Sequence, residues 1–471
     1  MKIPSWLKAD HGISLFLPAH GRGEALPRGM KEILRAKPGI WDLPELIEFG
    51  GPLESFGLVQ ESQSKAAAFV GAKKGWYGVN GASGLLQAAL FSLVQPGQSV
   101  LMPRNVHRSI AHACVLGGFQ PILFDIPYLE DRGHYGVPNT AWVKNVIENL
   151  SLDKSQIAAA VLVNPSYQGY SADISGQIEL FHQIGWPVLV DEAHGAYFAY
   201  GKGLGTPPSS LSSGADLVVH SLHKSSIGLA QTAALWLQGE IVDPDLVQRS
   251  LGLLMTSSPS SLFIASCESA VLYWSTSKGQ KILEDRIKKA KIIFNNLKSA
   301  GIPLLENQDP FRIILHTAPI GITGFEADNW FSSRGIIAEL PEPGCLTFCL
   351  GFAQHKRLIH RFKRIWDQLL KSAKGRESID VFSRPPIPLI SCPNINCGKA
   401  WRSNYKIVHI TKASGCISTE IICPYPPGIP LVFPGEKLNQ ERIEWLLTQK
   451  ALWPDNIPTY LRVMNLNNPL S

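Results

Sequence analysis

Val188-Leu189-Val190 runs straight into Asp191-Glu192-Ala193-His194-Gly195, and further along Leu217-Val218-Val219-His220 runs into Ser221-Leu222-His223-Lys224. Both are short apolar runs rich in β-branched residues, the pattern of strands buried on both faces. Each ends on side chains that carry chemistry. In an open α/β sheet, ligands sit beyond the carboxyl ends of the strands, so neighbouring strands with these endings would put an acid and an amine in one crevice. Taken singly, each ending also has a plainer reading. A lysine after a buried strand is commonly a solvated loop residue, and an Asp-Glu pair there is commonly a helix cap.

A third element precedes them. Asn80-Gly81-Ala82-Ser83-Gly84 leads into Leu85-Leu86-Gln87-Ala88-Ala89-Leu90, a glycine-rich turn opening a helix. Its backbone N–H groups, a hydroxyl and the positive end of the helix dipole suit a phosphate, although Ser83 as an ordinary cap is the simpler alternative. Phosphate turn, acid and amine, in that order, are what pyridoxal phosphate (PLP) requires. The amine condenses with its aldehyde and the carboxylate keeps its pyridine nitrogen protonated.

With these motifs in view, the chain resembles the Orn/Lys/Arg decarboxylase family, and especially its short forms. The resemblance runs through most of the chain. It rests on Leu17-Pro18-Ala19-His20-Gly21-Arg22-Gly23, Trp41-Asp42-Leu43-Pro44-Glu45-Leu46, the Asn80 turn, and Pro103-Arg104-Asn105-Val106-His107-Arg108-Ser109. It continues in the Asp191 and Lys224 strings, Thr256-Ser257-Ser258-Pro259-Ser260, Cys423-Pro424-Tyr425-Pro426-Pro427-Gly428-Ile429-Pro430 and Pro434-Gly435-Glu436.

The resemblance implies a fold type I, PLP-dependent large domain of the aspartate aminotransferase kind, with a mostly parallel sheet and smaller α+β C-terminal domains. It implies decarboxylation of a basic amino acid, L-arginine to agmatine and carbon dioxide, with lysine or ornithine as alternative substrates. Lys224 would hold the cofactor, Asp191 would pair with the pyridine nitrogen, and small Ala193 would lie against the ring. His107 would stack on that ring, and Gly81, Ala82, Ser83 and Ser221 would meet the phosphate. His194 would reach the phenolic oxygen, and His223 would touch the phosphate or protonate Cα. Glu420 would receive the distal cation of the substrate, since a buried cation without a partner costs several kcal/mol. The family further implies a homodimer or higher oligomer with a shared site, Thr256 to Ser260 reaching the partner's phosphate. Three departures stand out: Ala82-Ser83 in place of two hydroxyl residues, residues 391–403 off the usual string, and Ser261 where an aromatic is common. They bear on substrate more than on cofactor.

Composition fits a large enzyme. With 471 residues, 45% of them hydrophobic, the chain can bury a sizeable core in two or three domains. A net charge of +6 is modest. The basic stretch from His355 to Trp366 carries Leu358, Ile359, Phe362, Ile365, Trp366 and Leu369 at helical spacing, a core-facing stripe with a solvated back rather than a nucleic-acid surface. There is no apolar run of membrane-spanning length and no signal-peptide core near Met1, so a cytoplasmic location is expected. The eight cysteines are then expected as thiols, and no Cys-x-x-Cys pair suggests a metal.

Alternating apolar runs predict strands at 99–102, 121–124, 158–163, 187–190, 217–220 and 232–237, with helices at 85–93, 109–116, 142–150 and 174–184. Past about residue 275 a long amphipathic helix bearing Ile282, Leu283, Ile287, Ala290, Ile293, Phe294 and Leu297 bridges to a smaller domain. Pro385-Pro386-Ile387-Pro388 then marks a linker. The expected organisation is an N-terminal segment 1–50, a PLP-binding domain 51–280, a small α+β domain 281–380 and a C-terminal segment 381–471.

Two other classes share some of these features. The Asp-Glu-Ala-His-Gly string is also similar to α-oxoamine synthases, which with aminotransferases have the same fold. Those enzymes lack the Ser-x-His-Lys form and the Pro-Tyr-Pro-Pro-Gly element. A non-catalytic homologue would be expected to lose the lysine or the acid, and both are present.

Overall fold

The computed structural model describes residues 3, 6–7, 12–43, 46–379, 381–423, 429–452 and 457–465. Pro44, Glu45 and the Pro424 to Gly428 part of the proline-rich element lie outside the described residues. An eight-stranded sheet forms the centre. Its strands are β1 (Lys74–Gly78), β2 (Ser99–Pro103), β3 (Gln120–Phe124), β4 (Ile157–Val163), β5 (Val188–Asp191), β6 (Leu217–Ser221), β7 (Ala233–Leu237) and β8 (Ile390–Ser391). The spatial order is β8-β3-β2-β4-β5-β6-β7-β1.

The strands from β3 to β6 run parallel, with Val163 beside Asp191 and Asp191 beside Val219. This register answers the question posed by the sequence. β5 and β6 are neighbours, so the acid-bearing and lysine-bearing endings emerge side by side. Helices α1 (Gly81–Leu93), α2 (Arg108–Gly117), α3 (Thr140–Glu148) and α4 (Ser175–His182) provide the crossovers and cover both faces. Side-chain alternation divides the core accordingly: Val100 and Met102 pack on one face of the sheet, Leu101 on the other.

All six predicted strands and all four predicted helices are present, with ends within two residues of the expected ones except at α1, which starts at Gly81, four residues before the expected position. Three strands of the sheet are antiparallel to their neighbours, which the alternating pattern did not reveal. β7 returns beside β6 after a connection too short for a crossover helix, β1 pairs antiparallel with β7, and β8 pairs antiparallel with β3.

The bridging helix spans Ser277–Ser299, and a four-stranded antiparallel sheet follows it, containing Arg312–His316 and Cys345–Cys349. The N-terminal stretch joins these parts. Ile13–Ser14 pairs with Ile336–Ile337, Ala19 N–H donates to the His223 carbonyl at 2.8 Å, and Phe352 N–H donates to the Ala19 carbonyl at 2.9 Å. Gly21, at φ 56°, sits where a Cβ would fall 2.4 Å from that of Ala353, which accounts for the glycine in Ala-His-Gly. A separate apolar cluster, including Ile410, Val432, Leu446 and Val463, belongs to the C-terminal residues.

Beneath the site, Glu192 and His220 are fully buried and bonded at 2.7 Å. Trp236 Nε1–H donates to His220 Nδ1 at 2.8 Å, so His220 carries its proton on Nε2 and directs it to Glu192. Ser210 N–H and Oγ–H, both at 2.8 Å, satisfy the other carboxylate oxygen. The network ties β5, β6 and β7 together directly under Asp191 and Ser221. Replacing His220 with Leu would strand the Glu192 oxygen without water, and a loss of about 3 kcal/mol or more is expected. Urea denaturation midpoints of the wild type and His220→Leu check this; a difference below about 1 kcal/mol would show the network to be dispensable.

Candidate active site

Beyond the carboxyl ends of these strands lies a cavity of about 470 Å³. Gly81, Ala82, Ser83, His107, Asp191, Ala193, His194, Ser221, His223 and Lys224, all singled out from the sequence, line it together. Glu420 does not. Its Oε1 accepts the Arg462 N–H at 2.8 Å, because the strand Tyr460–Met464 passes beside it and uses the carboxylate to satisfy a backbone donor. Thr256 to Ser260 is likewise off this chain's cavity wall, in the loop between helices Pro244–Leu254 and Ser261–Leu272.

Lys224 lies in a single helical turn, Leu222–Ser225, directly after β6. Ser225 Oγ donates to the Ala193 carbonyl and accepts the Ala196 N–H, both at 2.9 Å, which fastens the lysine turn to the Asp191 turn. Burial lowers the pKa of the Lys224 amine, Asp191 and Glu339 oppose that shift, and Arg312 adds to it. Burial raises the pKa of Asp191, opposed by Lys224 and by the Ala193 N–H, which donates to Oδ1 at 3.1 Å.

His194 connects these groups to the small domain. Arg312 Nη2 approaches His194 Nδ1 at 3.2 Å, and since a guanidinium can only donate, Nδ1 accepts. Burial, Lys224 and Arg312 hold the imidazole well below its ordinary pKa, so it is neutral and its proton sits on Nε2, 3.3 Å from Lys224 Nζ. A donor facing the nitrogen favours the free amine, the nucleophilic form. The Tyr167 ring lies over this pair, its centroid 5.8 Å from Lys224 Nζ and 4.4 Å from that of His194. Tyr167 donates in turn to Glu339, which also accepts the Leu17 N–H at 2.8 Å.

His107 is more than a loop residue. It caps α2, Nδ1 accepting the Ser109 N–H at 3.2 Å, and its ring forms part of the cavity wall. At the phosphate turn, Gly81 has φ 73° and donates to the Gln231 carbonyl at 2.8 Å, while the next amides open α1 without acceptors from a preceding turn. The Pro103-Arg104-Asn105 and Pro434-Gly435-Glu436 motifs also meet: the buried Arg104 Nη2 pairs with Glu436 Oε1 at 2.6 Å, clamping the C-terminal residues over the site. Ile429, Leu431, Trp445 and Ile457 close the cavity from there.

Sequence reading missed Arg312, Tyr167, Gln168, His134 and Glu342, although the last four line the cavity and the first contacts His194. The clearest available signal was Arg312, a charged residue inside the apolar run Phe311 to Leu315. Tyr167 and Gln168 lie in the segment after β4, beyond Asn164-Pro165-Ser166. Among the described residues, no group of three His, Cys, Asp or Glu side chains stands ready to hold a metal, and no helix is long and apolar enough to cross a membrane.

The sheet and its similarity to solved structures define a fold type I class. The chain belongs to the Orn/Lys/Arg decarboxylase family: its major-domain pattern matches residues 40–317 and its C-terminal-domain pattern residues 381–458. An arginine decarboxylase of Bacillus subtilis is 28% identical over 92% of this chain and 90% of its own length; one of Bacillus anthracis is 27% identical over 92% and 89%. The solved constitutive lysine decarboxylase of E. coli superposes with a TM-score of 0.75 at 18% identity, covering 90% of this chain and 75% of its own.

The histidines make the stability of the cofactor-free protein depend on pH. Burial first, then Lys224, Arg108 and His112, push His107 down to about 3; burial and Lys224 push His223 down to about 4. Between those values and 6.5 the unfolded chain binds protons that the folded chain refuses, so stability falls as pH drops below 6.5, by about 1.4 kcal/mol per unit for each ring. From pH 7 to pH 5 the wild type should lose about 4 kcal/mol more than His107→Phe/His223→Asn, read from urea midpoints. Equal losses in the two proteins would contradict the buried neutral state.

Proposed function

We propose that this protein is a homodimeric, cytoplasmic, PLP-dependent arginine decarboxylase that converts L-arginine to agmatine and carbon dioxide, a step of polyamine biosynthesis. The observation that carries the reading is a half-buried amine whose pKa burial lowers, facing a donor hydrogen, beside an acid at the end of the next strand. The relatives named arginine decarboxylase support the choice of substrate, since they match at higher identity and over more of their own length than those named lysine decarboxylase. The eight free cysteines fit a reducing compartment.

The residues fit the cofactor. A carboxylate buried as deeply as Asp191 needs a cation, and a protonated pyridine nitrogen is one. The cavity volume lies within the range of cofactor sites. Lys224 would hold the aldehyde and Asp191 the ring nitrogen, while the Ala82 and Ser83 amides with Ser221 would take the phosphate. Small Ala193 leaves room for a flat ring, and the imidazole of His107 is a neutral face to stack on it. PLP, when bound, spreads into its ring the electron pair left on Cα as carbon dioxide departs.

The chain's own contribution is to hold protons in place. His194 keeps its hydrogen on Nε2 because Arg312 occupies Nδ1, so it can only donate at the Lys224 side. His107 and His223 stay neutral and add no charge beside the amine. The C-terminal residues exclude water, which strengthens each of these interactions. In this reading Thr256, Ser257 and Ser258, exposed on this chain, complete the site of a second copy.

Purified wild-type protein should be yellow and should release agmatine from arginine faster than cadaverine from lysine; the reverse order would leave the family and remove arginine. Lys224→Ala should lose the cofactor label that borohydride fixes to the chain, and a label of unchanged yield would exclude Lys224. Asp191→Asn should keep bound PLP while kcat falls by several orders of magnitude; near-normal turnover would make the acid structural. Mixing Lys224→Ala chains with chains substituted at Thr256 to Ser260 should regenerate activity, and none would appear if each site were built from one chain.

A further inference from the structure

Resting on the reading of this cavity as a basic-amino-acid site, we propose that Glu342, not Glu420, is the carboxylate that receives the distal cation of the substrate. Among the described residues of the wall, Asp191 and Glu342 are the acids. Asp191 lies at the end of β5 in the field of Lys224, which leaves Glu342 for a second cation.

Glu342 is 3% exposed, and its two oxygens differ. Oε1 accepts the Gln168 Nε2–H at 2.8 Å, and Gln168 is itself buried on the cavity wall. Oε2 is shut away from solvent without a hydrogen-bond partner. The nearest cation-capable group is His134, with Nδ1 3.3 Å from Oε2, and no lysine or arginine among the described residues pairs with this carboxylate. His134 Nδ1 is also without a hydrogen-bond partner, and its Nε2 meets the Tyr170 hydroxyl at 3.3 Å. A buried carboxylate with one vacant oxygen is costly in isolation and becomes favourable when a cation arrives.

The surroundings suit a long aliphatic cation. Tyr128 and Tyr135 meet edge to face at 5.3 Å, and with His134 and Gly133 they form the wall of the hairpin Tyr128–Leu129 with His134–Tyr135. Methylene groups would lie along those rings, and the charged end would reach the Glu342 oxygen that Gln168 leaves open. Glu420, by contrast, does not line the cavity.

Loaded wild-type protein, Glu342→Gln and Glu420→Gln should be titrated with arginine and with citrulline, its uncharged near-isostere, following the visible band of the bound cofactor, with folding checked by circular dichroism. Glu342→Gln should weaken arginine binding by about 10- to 100-fold while leaving citrulline within about twofold, so that discrimination between the two collapses. Glu342→Asp, which keeps the charge, should restore part of the preference and shows that the site tolerates substitution. Arginine preference intact in Glu342→Gln, or lost instead in Glu420→Gln, would overturn the assignment. If wild-type protein binds neither arginine, lysine nor ornithine in preference to its neutral analogue, the basic-substrate reading itself fails, a result distinct from either variant's.

Discussion

A primary amine whose pKa is lowered by its surroundings is the condition on which the rest of this structure depends. Burial alone moves Lys224 in that direction, but a buried amine beside a carboxylate tends to recover its charge. The fold counters the pull of Asp191 and Glu339 with Arg312, whose guanidinium fixes the His194 tautomer and leaves a donor hydrogen facing Nζ. A donor cannot share a line with another donor, so the geometry favours the lone pair. The arrangement requires Arg312 to arrive from the small sheet, His194 from the turn after β5 and Lys224 from the turn after β6.

That requirement explains why so much of the hydrogen bonding outside the cavity joins parts distant in sequence. Glu192, His220 and Trp236 hold β5, β6 and β7 in register under the site, and Ser225 bonds the two strand-end turns to each other. The N-terminal stretch bonds to the His223 carbonyl on one side and to Phe352 on the other, so it crosses from the lysine turn to the small domain. Arg104 and Glu436 form a nearly fully buried ion pair, supported by Ser391 Oγ, which accepts from Arg104 Nη2, by the Phe433 amide, which donates to Glu436, and by Arg442 3.4 Å from the same carboxylate. Each of these joins would be expensive to leave half made, and together they give the cavity one shape.

The polar groups divide between two tasks. Around Lys224, His107, His194 and His223 are held neutral and add no charge beside the amine. Around Tyr128 and His134, Glu342 retains an oxygen without a partner. One part of the wall is arranged for proton control and another for charge recognition, and the C-terminal residues cover both.

The strand and helix periods, the endings of β5 and β6, and the glycine turn before α1 were legible in the sequence because they are local: apolar run length, turn residues and the residue after a strand do not depend on what packs against them. Asp191, His194 and Lys224 were found in this way, and their convergence needed only adjacent parallel strands. The antiparallel edge strands, Arg312, Tyr167 and Glu342 were decided by tertiary structure. Nothing near Arg312 announces that its strand passes His194, and Glu342 in Pro-Glu-Pro-Gly looks like a surface turn until the hairpin and Gln168 bury it. Glu420 shows the converse. Its position before the proline-rich element suggested a role in the site, and the fold sets it off the cavity wall, with one oxygen accepting a backbone amide of a strand 42 residues away. Which charged group is left without a partner is a property of the whole packed chain, and only the folded structure determines it.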